Sequence, residues 1–295
     1  MTALKWTRKT TEKVAHELNR EGIVIGRQTV SRLLYQLKYS LKANRKMIAR
    51  QKAPCRNEQF VHIAEQRQHF IAQGLPIISV DSKKKEMIGN FKNNGALWTR
   101  EPLQVRDHDF RGDALGMAVP YGIYEPVANR GSLFVGKSHE TSEFAAEAIS
   151  RWWRQQGRRR YPGADSLLIL CDSGGSSDHR RWAWKDEIIQ KVCNPFGLAV
   201  SVCHYPPGAS KWNPIEHRLF SFISINWAGQ PLESYETLCN YARTTTTKTG
   251  LKVSASIIEG NYETGKVVSE DRRQELCIVR HSILPQWNYT LWPSG

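Results

Sequence analysis

No window of this sequence approaches eighteen uninterrupted apolar residues, and its first residues hold no apolar signal core. Neither a membrane helix nor a secretory leader is indicated, so a soluble, cytoplasmic protein is expected. The six cysteines, at 55, 171, 193, 203, 239 and 277, include no C-x-x-C pair. Scattered in this way they argue against a zinc site or a disulfide framework. Cys171 and Cys203 end apolar runs, where cysteine serves as a small hydrophobe. No G-x-x-x-x-G-K-[ST] motif occurs, and Ser173 lacks a G-x-S-x-G setting. A P-loop and a serine-hydrolase triad are both disfavoured. There are no internal repeats. Acidic residues are the minority charge, 28 Asp and Glu against 42 Lys and Arg, for a net charge of +14.

What is present is a chain of 295 residues, 40% of them hydrophobic, enough to bury a core. The positive charge is concentrated at one end. Residues 1–60 carry 14 Lys and Arg against 4 Asp and Glu, whereas the remainder carries 28 against 24. A basic module that neutralises phosphates, joined to a more balanced body, is the arrangement this suggests. Within the basic part, periodicity predicts a helix over Thr10–Glu21 with Val14, Ala15 and Leu18 on one face, ended by Gly22. A second helix over Arg27–Leu37 is expected to bury Val30, Leu33, Leu34 and Leu37 and to present Gln28, Thr29, Ser31 and Arg32. Two short helices about a Gly-bearing turn describe a helix-turn-helix, with those four polar residues available to DNA.

Residues 51–74 read as a linker followed by a connecting helix ending at Gly74. The body is expected over 75–228. It opens with strand "LPIISVD", continuing through "KKKEMIGNF". The runs "PYGIYEPVA" and "GSLFVGK" form a hairpin through "NRG". A helix follows over 141–156, with Phe144, Ala145, Ala148, Ile149, Trp152 and Trp153 inward. Strand "SLLILC", helix 180–193, strand "LAVSVC" and a helix opening at Asn213 complete it. This order predicts an α/β fold, a mixed sheet with helices on its faces and its site near strand ends. Residues 229–295 read as a small helical and loop extension.

Asp81 ends the first strand, Asp172 ends "SLLILC", and Glu216 opens the helix in "WNPIEHRLFSFI". Two Asp from strand ends and a Glu from a helix start are the hard oxygen donors a pair of Mg²⁺ ions uses in phosphodiester chemistry. Each has a plainer reading. Asp81 can be a solvated strand end, and Asp172 can start the turn "SGGSS". Glu216 can close a capping box, with Asn213 as cap and Pro214 at the first helical position. The glycines of "DSGGSS" leave room for a metal or a DNA backbone. Lys211, Trp212 and His217 flank Glu216 and suit phosphate contact or base stacking. His204 reads either in that way or as a structural histidine, and the runs Arg158–Arg160 and Arg180–Arg181 either as DNA contacts or as solvated charge.

The segments "ISVDSKKKEMIGNFKNNG", "YGIYEPVAN", "CDSGGSSDHRRWAWK", "CHYPPGASKWNPIEHRLFSFISINW" and "TTTTKTGLKV" resemble the DDE transposases of bacterial insertion sequences, in the subgroup called Rhodopirellula-type. The resemblance covers about residues 5–292. It implies an RNase H-like body and a nucleoid-associated bacterial protein. It also implies Mg²⁺-dependent cleavage of double-stranded DNA at element ends and strand transfer into target DNA, with Mn²⁺ able to substitute. Asp81, Asp172 and Glu216 become the metal-binding triad, and synapsis of two ends implies a homodimer or higher assembly. The family usually starts further upstream and more often has Gly at Ser173 and Asn at Ser177 or Asp178. A shortened copy is therefore expected. An end-binding repressor is the alternative to an active enzyme, and a general nuclease a third reading.

Overall fold

The computed structural model describes residues 9–42 and 55–294 and divides the chain into two compact units, Met1–Ala49 and Arg50–Gly295. In the first unit α1 spans Thr11–Arg20 and α2 spans Arg27–Gln36, as the periodicity predicts. The Thr10 hydroxyl caps α1 by accepting from the Lys13 amide. Between the helices, the Asn19 side chain exchanges two hydrogen bonds with the Ile25 backbone, at 2.8 and 3.0 Å. Ala15 and Val30 are buried where the helices meet. Leu33 and Leu37 are not, at 41% and 67% exposed, contrary to expectation. A pair of ten-residue helices has only one shared face, and these leucines lie beyond it.

The second unit opens with α3 (Arg56–Ala72), stopped by Gly74 at φ +67°. Strands β1 (Ile77–Ser82), β2 (Glu86–Ile88), β3 (Gly116–Glu125) and β4 (Arg130–Gly136) follow, then α4 (Ser142–Trp152), β5 (Ser166–Cys171) and β6 (Ala199–His204). The strand expected to run on through "KKKEMIGNF" breaks at Lys83–Lys85, and β2 pairs with β3 instead. Past residue 229, where a helical and loop extension was expected, helices do form at Tyr235–Arg243 and Glu270–Glu275, but so do three strands, β7 (Lys252–Ile258), β8 (Ile278–Arg280) and β9 (Asn288–Leu291). Their side chains mix polar with apolar, so the strand signal is weak in sequence.

All nine strands join one sheet, in the order β7-β4-β3-β1-β5-β6-β9-β8, with β2 beside β3. The central five, β4-β3-β1-β5-β6, have β3 antiparallel to both neighbours and β1, β5 and β6 parallel. That mixed pattern, with helices on both faces, is the RNase H-like arrangement. The continuously apolar β5 suits the sheet's interior, being buried on both sides.

Alternation along β1 fixes what lies on each face. Ile78 and Val80 join the core under α4 with Phe144, Ile149, Trp152 and Trp184. Ile77 packs with Ile63 and Phe70 of α3. Helix 141–156 is borne out with its six inward residues buried, although it runs through a π turn at Trp153–Gly157. A further core forms under the helical segment Glu216–Asn226, from Leu133, Val135, Ile215, Leu219 and Phe220. Among the described residues no helix is long and apolar enough to cross a membrane.

Candidate active site

The β1–β5 register pairs Val80 with Cys171, so one step on Asp81 and Asp172 leave neighbouring parallel strands side by side. Adjacent strands lie about 4.8 Å apart, which makes the two carboxylates close neighbours. Asp81 shares strand parity with Ser79, whose hydroxyl donates to Oδ1 of the Asn213 side chain, just before the Glu216 helix. A glycine lets that helix sit close. A Cβ at Gly122, the register partner of Asp81, would meet Phe220 Cε1 at 2.4 Å and Ile215 Cδ1 at 2.9 Å. Such close approach is a recurrent reason for glycine inside a strand.

The electrostatics follow from this crowding. Burial, with the charge of Asp172 next, raises the Asp81 carboxyl to about 8. Glu216 and Glu140 push it the same way. Asp172 is raised to about 6, chiefly by burial and further by Glu216, against a 3.1 Å hydrogen bond from Asn213 Nδ2. The Ser82 amide donates to Asp81 Oδ1 at 2.7 Å. Asp81, Asp172 and Glu140 line a cleft of about 540 Å³ with Lys83, Lys84, Lys85, Gly174, Gly175 and the Pro206–Gly208 turn. Glu216 acts on both aspartates electrostatically but does not line that cleft.

The capping-box reading of Glu216 does not hold. The Asn213 side chain is spent on Ser79, Asp172 and the Val80 carbonyl, and the Asn213 amide donates to the Ser210 carbonyl instead of meeting the Glu216 carboxylate. The helix starts without that device because Asn213 is drawn across the sheet.

The remaining candidates separate by environment. His204 is fully buried and held to about 3 by that burial, so it is an uncharged structural residue and touches no solvent. His217 Nε2 donates to the Lys211 carbonyl at 2.6 Å. Lys211 is exposed, its ammonium 5.5 Å over the ring of Trp212, which is itself half-exposed and edge-on to Phe60. Gln28, Ser31 and Arg32 are exposed on α2, and Thr29 is partly covered. Arg160 is ion-paired with buried Glu125, and Arg180 with Asp178 at 2.7 Å. Glu140 was missed by sequence reading, since it follows "GKSH" with no strand or helix signal to mark it.

The donor set suits a divalent cation. Hard carboxylate oxygens crowd one cleft, the other acids raise Asp81 and Glu216 raises Asp172, and none of the ion pairs among the described residues involves Asp81, Glu140, Asp172 or Glu216. No three Asp, Glu, His or Cys side chains among the described residues are gathered into a ready cage. The match is thus one of charge and donor type, centred on Asp81 and Asp172.

A mixed sheet of RNase H-like order, with carboxylates at the ends of its two central parallel strands, places the chain among the RNase H-like α/β proteins. Its family is narrower. The chain matches the Rhodopirellula transposase DDE domain over residues 1–293 and belongs to that family. No curated protein matches it. Among solved structures it is similar to the mariner Mos1 paired end complex with Mg, at 14% identity over 82% of this chain and 72% of that one, with a TM-score of 0.47. A Mos1 transposase paired-end complex with the left transposon end is similar at 13% identity, over the same shares, with a TM-score of 0.46.

Proposed function

We propose that this protein is a DNA transposase that cleaves strands at the ends of an insertion sequence and joins them to target DNA. The observation that carries the reading is the β1–β5 register, which sets Asp81 beside Asp172 at the mouth of an acidic cleft in a transposase-family chain. Asp81, Asp172 and Glu216 would hold Mg²⁺ or Mn²⁺. Such ions supply an activated attacking oxygen and a stabilised leaving oxygen. Asn213 orients the Asp172 carboxylate, and the Ser82 amide that of Asp81. Lys84 and Lys85, exposed at the cleft, attract the phosphate backbone toward an otherwise repulsive acidic site. The exposed side of α2, with Gln28, Thr29, Ser31 and Arg32, would read the element end, while Lys211 and Trp212 would contact DNA near the chemistry. His217, already committed to a backbone carbonyl, would support Lys211. Two ends must be held together, so a homodimer or larger assembly on DNA is part of the proposal.

The test is a nicking assay on duplexes carrying the element ends, with Mg²⁺, Mn²⁺ or EDTA. Metal-dependent nicks at the ends are expected. Binding without cleavage would instead make the protein an end-binding repressor, and equal cutting of unrelated DNA a general nuclease.

A further inference from the structure

Asp172 is gripped at its carboxylate by Asn213, and its main chain is gripped as well. His204 Nδ1 lies 3.1 Å from the Asp172 carbonyl oxygen, across the β5–β6 pair that sets His204 opposite Cys171. His204 Nε2 lies 2.8 Å from the Tyr289 hydroxyl on β9. That hydroxyl in turn lies 3.1 Å from the indole Nε1 of Trp184. Trp184, Tyr289 and His204 are each wholly excluded from solvent.

Donor counting gives this chain a direction. An indole nitrogen only donates, so the Tyr289 oxygen accepts from Trp184 and turns its own proton to His204 Nε2. A neutral imidazole holds one proton, which must therefore sit on Nδ1, facing the Asp172 carbonyl, an acceptor only. In the opposite tautomer the imidazole lone pair would face the carbonyl lone pairs, and the Tyr289 proton would have no acceptor in the chain. Cys171 Sγ, 3.3 Å from Nδ1, can share the same proton as a weak acceptor.

The geometry points to Trp184, Tyr289 and His204 as a one-way hydrogen-bond chain that fixes the backbone of Asp172 and so aims its carboxylate into the cleft. His204 is a positioning residue with no contact to DNA. Its role toward the cation rests on the proposed function, whereas the chain itself does not. Burial explains the choice of residues, since each polar atom placed here without a partner is costly. The lever is large, because outer-shell hydrogen bonds to metal-holding groups commonly change affinity about 10–100-fold.

Two measurements on the full-length chain test this. The first is long-range ¹H–¹⁵N NMR of histidine-labelled protein between pH 5.5 and 8. The resonance missing from His204→Asn is expected to report a neutral ring protonated at Nδ1 throughout. A ring protonated at Nε2, or doubly protonated in that range, overturns the chain.

The second is Mn²⁺ binding followed by electron paramagnetic resonance. An Asn amide nitrogen can occupy the Nδ1 position, whereas a Gln amide reaches toward Nε2. His204→Asn should therefore rescue binding to within about threefold of wild type, and His204→Gln should weaken it about tenfold or more. Equal binding by the two variants overturns the positioning role. If His204→Gln melts before the assay temperature, Tyr289→Phe replaces it, and wild-type affinity in that variant overturns the role equally. No Mn²⁺ binding by the wild type, alongside the Nδ1–H signal, overturns the proposed function and leaves the chain standing.

Discussion

Asp81 is costly as an anion. Its carboxyl titrates near 8 in the folded protein against 3.8 for the ordinary side chain. The folded state therefore binds this proton more tightly than the unfolded state does. Nothing is lost below about pH 4, and the cost of ionisation grows until the pH passes 8. In a half-buried cleft open to water the cost is discounted to about 2 kcal/mol. Asp81→Asn should therefore raise the melting temperature by about 4–8 °C at pH 8 and leave it unchanged near pH 4, as calorimetry without divalent ions would show. The same substitution should lower nicking by about a thousandfold or more, separating stability from activity. Asn213 predicts the opposite sign for stability. Asn213→Ala strips partners from Ser79 and Asp172 and should cost about 1–3 kcal/mol in urea unfolding, with nicking reduced. The three candidate acids stood out in sequence because Asp81 and Asp172 end apolar runs and Glu216 opens a periodic helix, and the fold sets the two aspartates side by side. Asn213 was legible only as a helix cap, since no local pattern reveals that its amide reaches across the sheet to Asp172.

Among the elements, the helical segment beginning near Glu216 depends most on what lies beneath it. Gly122 on β3 and Gly131 on β4 give its aromatic and aliphatic side chains their seats, with Leu219 Cδ1 only 2.3 Å from where a Cβ at Gly131 would stand. Gly122→Ala forces Phe220 and Ile215 outward and should cost about 1–3 kcal/mol through overpacking. Because Glu216 rides on this segment, nicking should fall at least about tenfold while the aspartates stay in place, a displacement of about 1 Å being enough for such losses. The hairpin and the α4 helix were readable from strand signals about a turn and from 3.6-residue spacing, and the strands leading to Asp81 and Asp172 from their unbroken apolar runs. The glycine in "YGIY" was read simply as part of a strand. Its meaning is tertiary, for it marks where another element comes close.

On the scale of the whole molecule the charge asymmetry seen in sequence falls on separate units, a basic Met1–Ala49 and a body from Arg50 onward. If the exposed polar side of α2 reads element ends, Arg32→Ala should weaken binding to end DNA. Binding to unrelated DNA should change far less than binding to ends, or both should fall together if Arg32 meets only phosphate. Fluorescence anisotropy across a salt series distinguishes these, since a lost phosphate contact lowers the salt slope by about one. Least legible was the final fifth of the chain. Strands β7 and β9 gain their stability from β4 and β6, laid down far earlier in sequence, and β8 joins the sheet only through β9; such long-range pairing leaves little local signature. It does have a temporal one. During synthesis Asp81, Asp172 and Glu216 leave the ribosome well before Tyr289, whose hydroxyl begins to matter only when β9 docks on β6. A nascent or prematurely ended chain would own every acid of the cleft yet lack the tether behind Asp172.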